Sequence, residues 1–348
     1  METTNNPTLD PARFDVRETI AAAGDYLASA FGKTILGRTL HPLAKSLDMA
    51  AVCYAYGVNN AKTGTAAGAA PISVMVSQGA ASSAFQNLFR ETTAPVVLRS
   101  YETAKQRPFA ALLELQDFKP YPICAFDLAH GLETVLESAS VPRRIAFDAS
   151  AVYSIAKLQT HAQIFTVGRD VLLSNDLKSL VNLLLGAGAL AAQVEAGLLA
   201  AAVESSPVLS DGDVFDGSNS VALPLSAESL GTAFGMLRNQ GAPGRPLNIA
   251  PRHLVVDPTL ELQARMLIRH ADLGGSVQLS VLPGLASGRW LVMGDPELVP
   301  SLTLVTLEGG PLSYQVQRSF KNDGMDIAVA MYESAMFVGR IGIVRGGA

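Results

Sequence analysis

Apolar positions in the first hundred residues recur at helical spacing. Ile20, Ala23, Leu27 and Phe31 fall on one face and predict a helix over residues 16–31. Leu43, Leu47 and Val52 continue that spacing and predict a helix over 40–56. Residues 59–71, rich in Gly, Ala and Thr, read as a linker, and the Ser/Ala-rich stretch 72–90 fits neither period. Residues 92–108 predict another helix, with Pro95 tolerable only in its first turn. The texture then changes. Residues 112–126 and 144–165 hold strand-like runs rich in Val, Ile, Phe and Tyr. Between them, 127–142 is a more polar tip with His130, Gly131, Glu133 and Glu137. Two strands joined by such a tip make an extended hairpin. A lone hairpin is marginal in water, so it must lie on a support such as a neighbouring subunit.

Ser174-Asn175-Asp176 is a cap signal before a long apolar helix over 177–204. Residues 205–224 predict a loop, and 226–240 a helix capped by Ser226, with Leu230, Phe234 and Leu237 on one face. Pro243, Gly244 and Pro246 mark another loop. The run His253–Val256 then predicts a strand closed by Asp257-Pro258, and a helix follows over 259–271. Further strands are predicted over 277–282, 290–293, 302–307, 312–320, 325–332 and 337–344. Helices and strands alternate irregularly and no internal repeat is present, so the fold class is α+β.

Composition sharpens this. Of 348 residues, 49% are hydrophobic and only 16% charged, low for the surface of a freely soluble monomer. Hidden subunit interfaces or a large single core would each account for the shortage. The net charge of −5 builds no basic footprint for a phosphate backbone. A mildly acidic surface would instead keep packed nucleic acid from sticking. Cys53 and Cys124 lie far apart, form no CxxC pair or zinc set, and read as free thiols of a cytoplasmic protein. Residues 1–11 are polar and lack the basic start and apolar run of a signal peptide. Residues 180–203 approach the length of a membrane span, but Asn182, Gln193 and Glu195 interrupt them. A buried helix at a packed interface is the expectation.

Candidate chemistry fails on spacing. Gly32-Lys33-Thr34 imitates the end of a phosphate loop, yet the position five before Gly32 is Leu27, so Gly32 reads as a helix-end glycine. Gly186-Ala187-Gly188 lacks the third glycine of a dinucleotide fingerprint and reads as close helix packing. Asp211, Asp213 and Asp216 resemble a calcium loop, but the third carboxylate is one place late and the bidentate position is Ala222. Ser287 abuts Gly288 and so misses the nucleophile-elbow frame. His41, His130, His161, His253 and His270 show no metal-ligand spacing and read as structural or surface residues. No catalytic, cofactor-binding or metal-binding residue is assigned, and no cofactor is expected.

Four segments in order carry a family resemblance. The first runs from Phe165 through Gly168, Arg169, Asp170, Asn175 and Asp176 to Leu177. The second is the Ala-rich helix ending over 195–204. The third is Leu247-Asn248-Ile249 and Pro251 before Leu254-Val255-Val256. The fourth is Trp290-Leu291-Val292-Met293 with Asp295-Pro296, then Gly309, Pro311 and Asp323-Gly324. From about residue 92 onward the chain resembles the major capsid protein of tailed phages, in particular the Mu-like major head subunit.

The resemblance implies a tailed-phage major capsid fold of the Hong Kong 97 type. It would have an N-terminal arm, an extended loop, a peripheral domain with a spine helix, and an axial domain. Residues 1–91 would be the arm or a scaffolding-like segment. Residues 92–224 would hold the extended loop (112–165) and the peripheral domain with its spine helix (176–204). The axial domain would be 225–304, and 305–348 would be C-terminal strands returning to the peripheral domain. The implied function is structural and not enzymatic: self-assembly into pentamers and hexamers of an icosahedral head around double-stranded DNA. Its partners would be other copies of itself, portal and head-completion proteins, and packaged DNA by non-specific proximity, with no membrane. Its place would be the virion, after assembly in the host cytoplasm. Two rival readings rest on the residues alone. One is a phage-encoded hydrolase or maturation protease with a triad assembled in space around His130 or His161. The other is a membrane-associated protein anchored by residues 180–203.

Overall fold

A computed structural model describes residues 15–32, 40–61, 71–105, 107–124, 153–205, 207–242, 245–319 and 324–347. The chain forms two compact units. The first comprises Met1–Ala104, His161–Ala192 and Leu312–Met331; the second comprises Lys105–Thr160, Gln193–Pro311 and Tyr332–Ala348.

The first unit is helical, with one edge of sheet. Helix α1 (Val16–Ala30) starts at Asp15, whose carboxylate accepts from the Arg17 and Glu18 amides. Its buried stripe is Thr19, Ala22, Ala23, Tyr26 and Leu27, the spacing of one helical face. The predicted helix over 40–56 is instead two pieces. A single 3-10 turn (Pro42–Lys45) precedes helix α2 (Met49–Ala61). The break is chemical. His41 Nδ1 caps the first piece by accepting from the Leu43 amide, and Asp48 caps the second by accepting from the Ala51 amide at 2.6 Å. The unassigned stretch after the linker is also helical: α3 (Ile72–Ala80), then α4 (Ser83–Ala104), with Ser82 accepting from the Phe85 amide between them. Pro95 therefore lies inside α4, not in its first turn. It is exposed, so water can satisfy the Glu91 carbonyl that a proline leaves without an N–H donor.

Helices α2 and α3 approach at glycine. A Cβ on Gly79 would land on the Cys53 carbonyl, and one on Gly57 on the Met75 carbonyl. The short helix α5 (Arg169–Ser174) turns into the long α6 (Leu177–Glu204) through Asn175, which holds a left-handed φ of 53°. Asn175 Oδ1 accepts from Tyr26 Oη at 2.9 Å and from the Met49 amide at 3.0 Å. Asp176 accepts from the Ser179 amide, as the cap signal predicts. The core gathers Phe31, Phe85, Phe89, Tyr56, Leu172, Leu180 and Leu184 with Met325, Ile327 and Val329 of a strand. That strand (Gly324–Phe337) pairs antiparallel with Leu312–Arg318, Met325 opposite Arg318 and Met331 opposite Leu312.

In the second unit, the strand Ala111–Leu115 does not join the predicted hairpin. It runs parallel to Leu302–Leu307, which pairs antiparallel with the far end of Gly324–Phe337. The hairpin strands are Tyr121–Cys124 and Tyr153–Ala156, antiparallel with Tyr121 opposite Ala156. Its tip at 127–142 lies outside the described residues. A second sheet has the order Gln278–Val281, His253–Val256, Trp290–Met293, Ile343–Gly346, Ser220–Val221. Both faces of it are covered. Val255, Leu291, Met293 and Ile343 join a core with Leu199 and Val203 of α6. Leu254, Val256, Trp290, Val292 and Val344 join another, with Leu230 and Leu237 of α7 (Ala227–Asn239) and Ala264 of α8 (Glu261–His270). This double burial explains why 253–256 and 290–293 read as unbroken apolar runs rather than alternating ones. Helix α7 starts at the predicted Ser226, which forms a capping box with Ser229. The last predicted strand, 337–344, is shifted: its ordered part is Ile343–Gly346.

Candidate functional site

Among the described residues, the side chains singled out for catalysis or metal binding are scattered along the chain, and some of them have a local task. His41 caps the 3-10 turn, and its amide donates to Asp25 Oδ2 at 2.8 Å. His253 sits in the fully buried strand, where burial holds its imidazole below the usual range. His161 is half-buried and His270 exposed at the end of α8; His130 lies outside the described residues. Among the described residues no group of three or more His, Cys, Asp or Glu side chains is placed to hold a metal.

The acidic loop 211–216 is held by an arginine instead. Arg340 Nη1 donates to Asp211 Oδ2 at 2.6 Å and its Nε to the Asp213 carbonyl at 2.6 Å. That bond keeps the Asp211 carboxyl below its ordinary range. Asp216 turns inward on its own loop, accepting from the Ser218 amide and hydroxyl. Gly32 closes α1 with a φ of 69°, as a helix-end glycine does; Lys33 and Thr34 lie outside the described residues. Gly188 is a packing position: a Cβ there would strike the Val97 carbonyl of α4 and come within 2.7 Å of Ser100 Cβ. Gly186 faces open space. Ser287 sits in an exposed turn. Cys53 is fully buried, and burial pushes its thiol up, so it is not a nucleophile at neutral pH.

The exposed apolar side chains are better candidates for function. In the second unit the hairpin shows Tyr121 and Ile155 to solvent, at 62% and 59% exposure. Helix α8 buries only Ala264 and displays Leu262 and Met266 beside the Arg265–Glu261 ion pair. Val208, Leu223 and Leu298 are also exposed. In the first unit Leu98, Ile164 and Leu185 are exposed. Single exposed apolar residues are ordinary, but a two-stranded ribbon and a helix that both turn large side chains outward suit contacts with other chains. Helix α6 is the one described helix long and apolar enough to cross a bilayer by length and composition; 44% of its most apolar window is buried.

One cluster in the second unit lies outside the sites that the sequence pattern predicts. Glu333 is fully buried, on the strand Gly324–Phe337 opposite Thr306. Neither of its carboxyl oxygens has a hydrogen-bond partner among the described residues. Glu195 of α6 is also buried, and Arg107 Nε lies 3.4 Å from its Oε1. Burial first, then the Glu195 charge, pushes the Glu333 carboxyl up to about 8, against the opposing pull of Arg107 and Lys105. The signal was available. Met325, Ile327, Val329 and Met331 alternate inward, and Glu333 holds the next inward place.

A family model described as phage capsid protein matches residues 152–345, more than half of the chain. No curated protein sequence matches. Among solved structures the chain is similar to the virus-like particle from Pyrococcus furiosus, at 11% identity over 73% of this chain and 97% of that one, with a TM-score of 0.49. It is also similar to a phage-related protein from Bordetella bronchiseptica RB50, at 13% identity over 73% and 96%, with a TM-score of 0.47. A third is the capsid of cyanophage P-SCSP1u, at 13% identity over 69% and 86%, with a TM-score of 0.43.

Proposed function

The chain belongs to the phage capsid protein family, and from that membership we propose that it is the major head subunit of a tailed phage. It is a structural protein of the virion capsid, and copies of it assemble into a shell. The match over residues 152–345 carries this reading. The family is broader than the Mu-like subfamily that the residue pattern resembles, and the narrower placement is part of the proposal.

Subunits associate head-to-tail into rings of five and six, a heterologous contact that closes by rotation. Many modest contacts add through multivalency, so no single one must be strong. The low charged fraction and the exposed apolar residues of the hairpin and α8 support the idea that much surface becomes hidden. We assign residues 1–91 to an arm or scaffolding-like segment, 92–224 to the extended loop and peripheral domain, 225–304 to the axial domain and 305–348 to the returning strands. Helix α6, bounded at 177–204, is the proposed spine helix. Helix α4 runs unbroken through residue 91, so the arm and the peripheral segment would share a helix. Packaged double-stranded DNA would be a neighbour by proximity, since a chain of net charge −5 has no basic footprint for tight phosphate binding. Portal and head-completion proteins would be further partners, and assembly would take place in the host cytoplasm. The hydrolase reading gains nothing from the family match or from the scattered histidines.

Sedimentation velocity on the purified full chain tests the proposal. A species of many copies is expected to appear as protein concentration rises. Sedimentation as a monomer across all salt and protein concentrations would contradict it.

A further inference from the structure

Glu333, Glu195 and Arg107 are three ionisable side chains that the assembly reading does not use. They come from three distant stretches of chain: a strand of the sheet, α6, and the segment after α4. Glu195 and Glu333 are 1% and 0% exposed. Two carboxylates closed off from water cannot both ionise cheaply, even with Arg107 and Lys105 acting on them. Arg107 engages Glu195 through Nε at 3.4 Å, while its Nη1 is buried and has no hydrogen-bond partner among the described residues. Glu333 likewise has two buried oxygens without a partner among the described residues. A spare donor on the cation and spare acceptors on the second acid thus lie in one cluster. The charged groups that act on Glu333 are Glu195 from α6 and Arg107 and Lys105 from the segment after α4. Its cross-strand neighbour, Thr306, does not titrate in this range.

We propose that this cluster is a proton-operated switch within the second unit. With a proton on Glu333, Arg107 serves Glu195 alone. When the proton leaves, Arg107 is drawn to both carboxylates and the pairing of Gly324–Phe337 with Leu302–Leu307 loosens at the Thr306–Glu333 position. The inference rests on the buried cluster and not on the assembly reading. It holds for the isolated subunit whether or not shells form.

The direction of the pH effect follows from linkage. An unfolded glutamate loses its proton near its ordinary value of 4.5, whereas the folded chain keeps the Glu333 proton to about 8. The folded state is therefore favoured at low pH and loses that advantage as pH rises through this window, by up to about tenfold in its folding equilibrium per pH unit. The contribution of Glu333 itself is largest below the ordinary glutamate range and is lost as pH rises towards 8.

The experiment uses infrared spectroscopy and urea unfolding of the purified full chain across pH. A protonated-carboxyl band is expected to persist at neutral pH and to disappear with a midpoint near 8. Glu333→Gln, a neutral isostere, is expected to lack that band and to lose one proton's worth of pH slope in unfolding. Arg107→Gln is expected to move the midpoint up, and Glu195→Gln to move it down. A purely structural arginine would leave the midpoint in place. Loss of the band in the ordinary glutamate range would overturn the switch, as would a midpoint that ignores Arg107→Gln. If Glu333→Gln does not fold, the band in the unmodified chain and in the other two variants still decides.

Discussion

Asn175 shows how much one side chain can organise. Its left-handed backbone makes the corner between α5 and α6, and its amide oxygen receives bonds from α1 and from the first residue of α2. Asn is among the few residues that take this backbone readily and can also accept two hydrogen bonds. Asn175→Ala removes both acceptors and adds backbone strain, so it is expected to cost about 2–4 kcal/mol. Asn175→Gly keeps the backbone and should recover only the strain part, about 1 kcal/mol. Urea unfolding of both variants checks this; equal losses would show that the acceptor bonds carry all of the effect. The sequence marked Asn175 as part of a cap signal, which is a local role. Its link to Tyr26, 149 positions away, is tertiary and leaves no local trace. Glu333 differs. Its inward register is visible as a carboxylate in an apolar alternation, whereas its neighbours Glu195 and Arg107 are set by packing between distant segments.

At the scale of elements, two devices set the helical layer. One is the glycine crossing of α2 and α3. Gly79→Ala would push a methyl into the Cys53 carbonyl, and backbone has little room to yield. A loss of about 3 kcal/mol is expected from the overpacking, measurable as a lower urea midpoint. A neutral result would mean that the helices separate freely. The other device is Pro95. Because it sits exposed in the interior of α4, Pro95→Ala restores a helical N–H donor and is expected to raise stability by about 1–3 kcal/mol. A decrease would show that the proline shapes the helix for a contact it needs.

The elements that sequence patterning located best are those whose signal is local. The bounds of α6, Trp290–Met293 and Leu302–Leu307 agree with the apolar runs that predict them. The helix predicted over 40–56 was divided by Pro42 and by the Asp48 cap, signals weaker than the periodicity across them. Periodicity marked the strand near 112 but could not name its partner. Ala111–Leu115 pairs in parallel with a strand almost two hundred positions later, and no local pattern specifies such a partner.

As a whole molecule, this chain does its work by contact with copies of itself. Membership of the phage capsid protein family supports that role. Ile155 offers a direct handle, since its side chain lies exposed on the hairpin. Ile155→Asp is expected to leave the subunit folded, within about 0.5 kcal/mol of the unmodified chain. It is also expected to prevent the large sedimenting species by placing a charge in a buried contact. Normal assembly of this variant would remove the hairpin from the interface. A negative-stain electron micrograph of the purified chain decides whether copies of it build a shell. Rings and closed shells of regular size are expected; a field of isolated single subunits under every assembly condition would show that the chain is not a shell subunit.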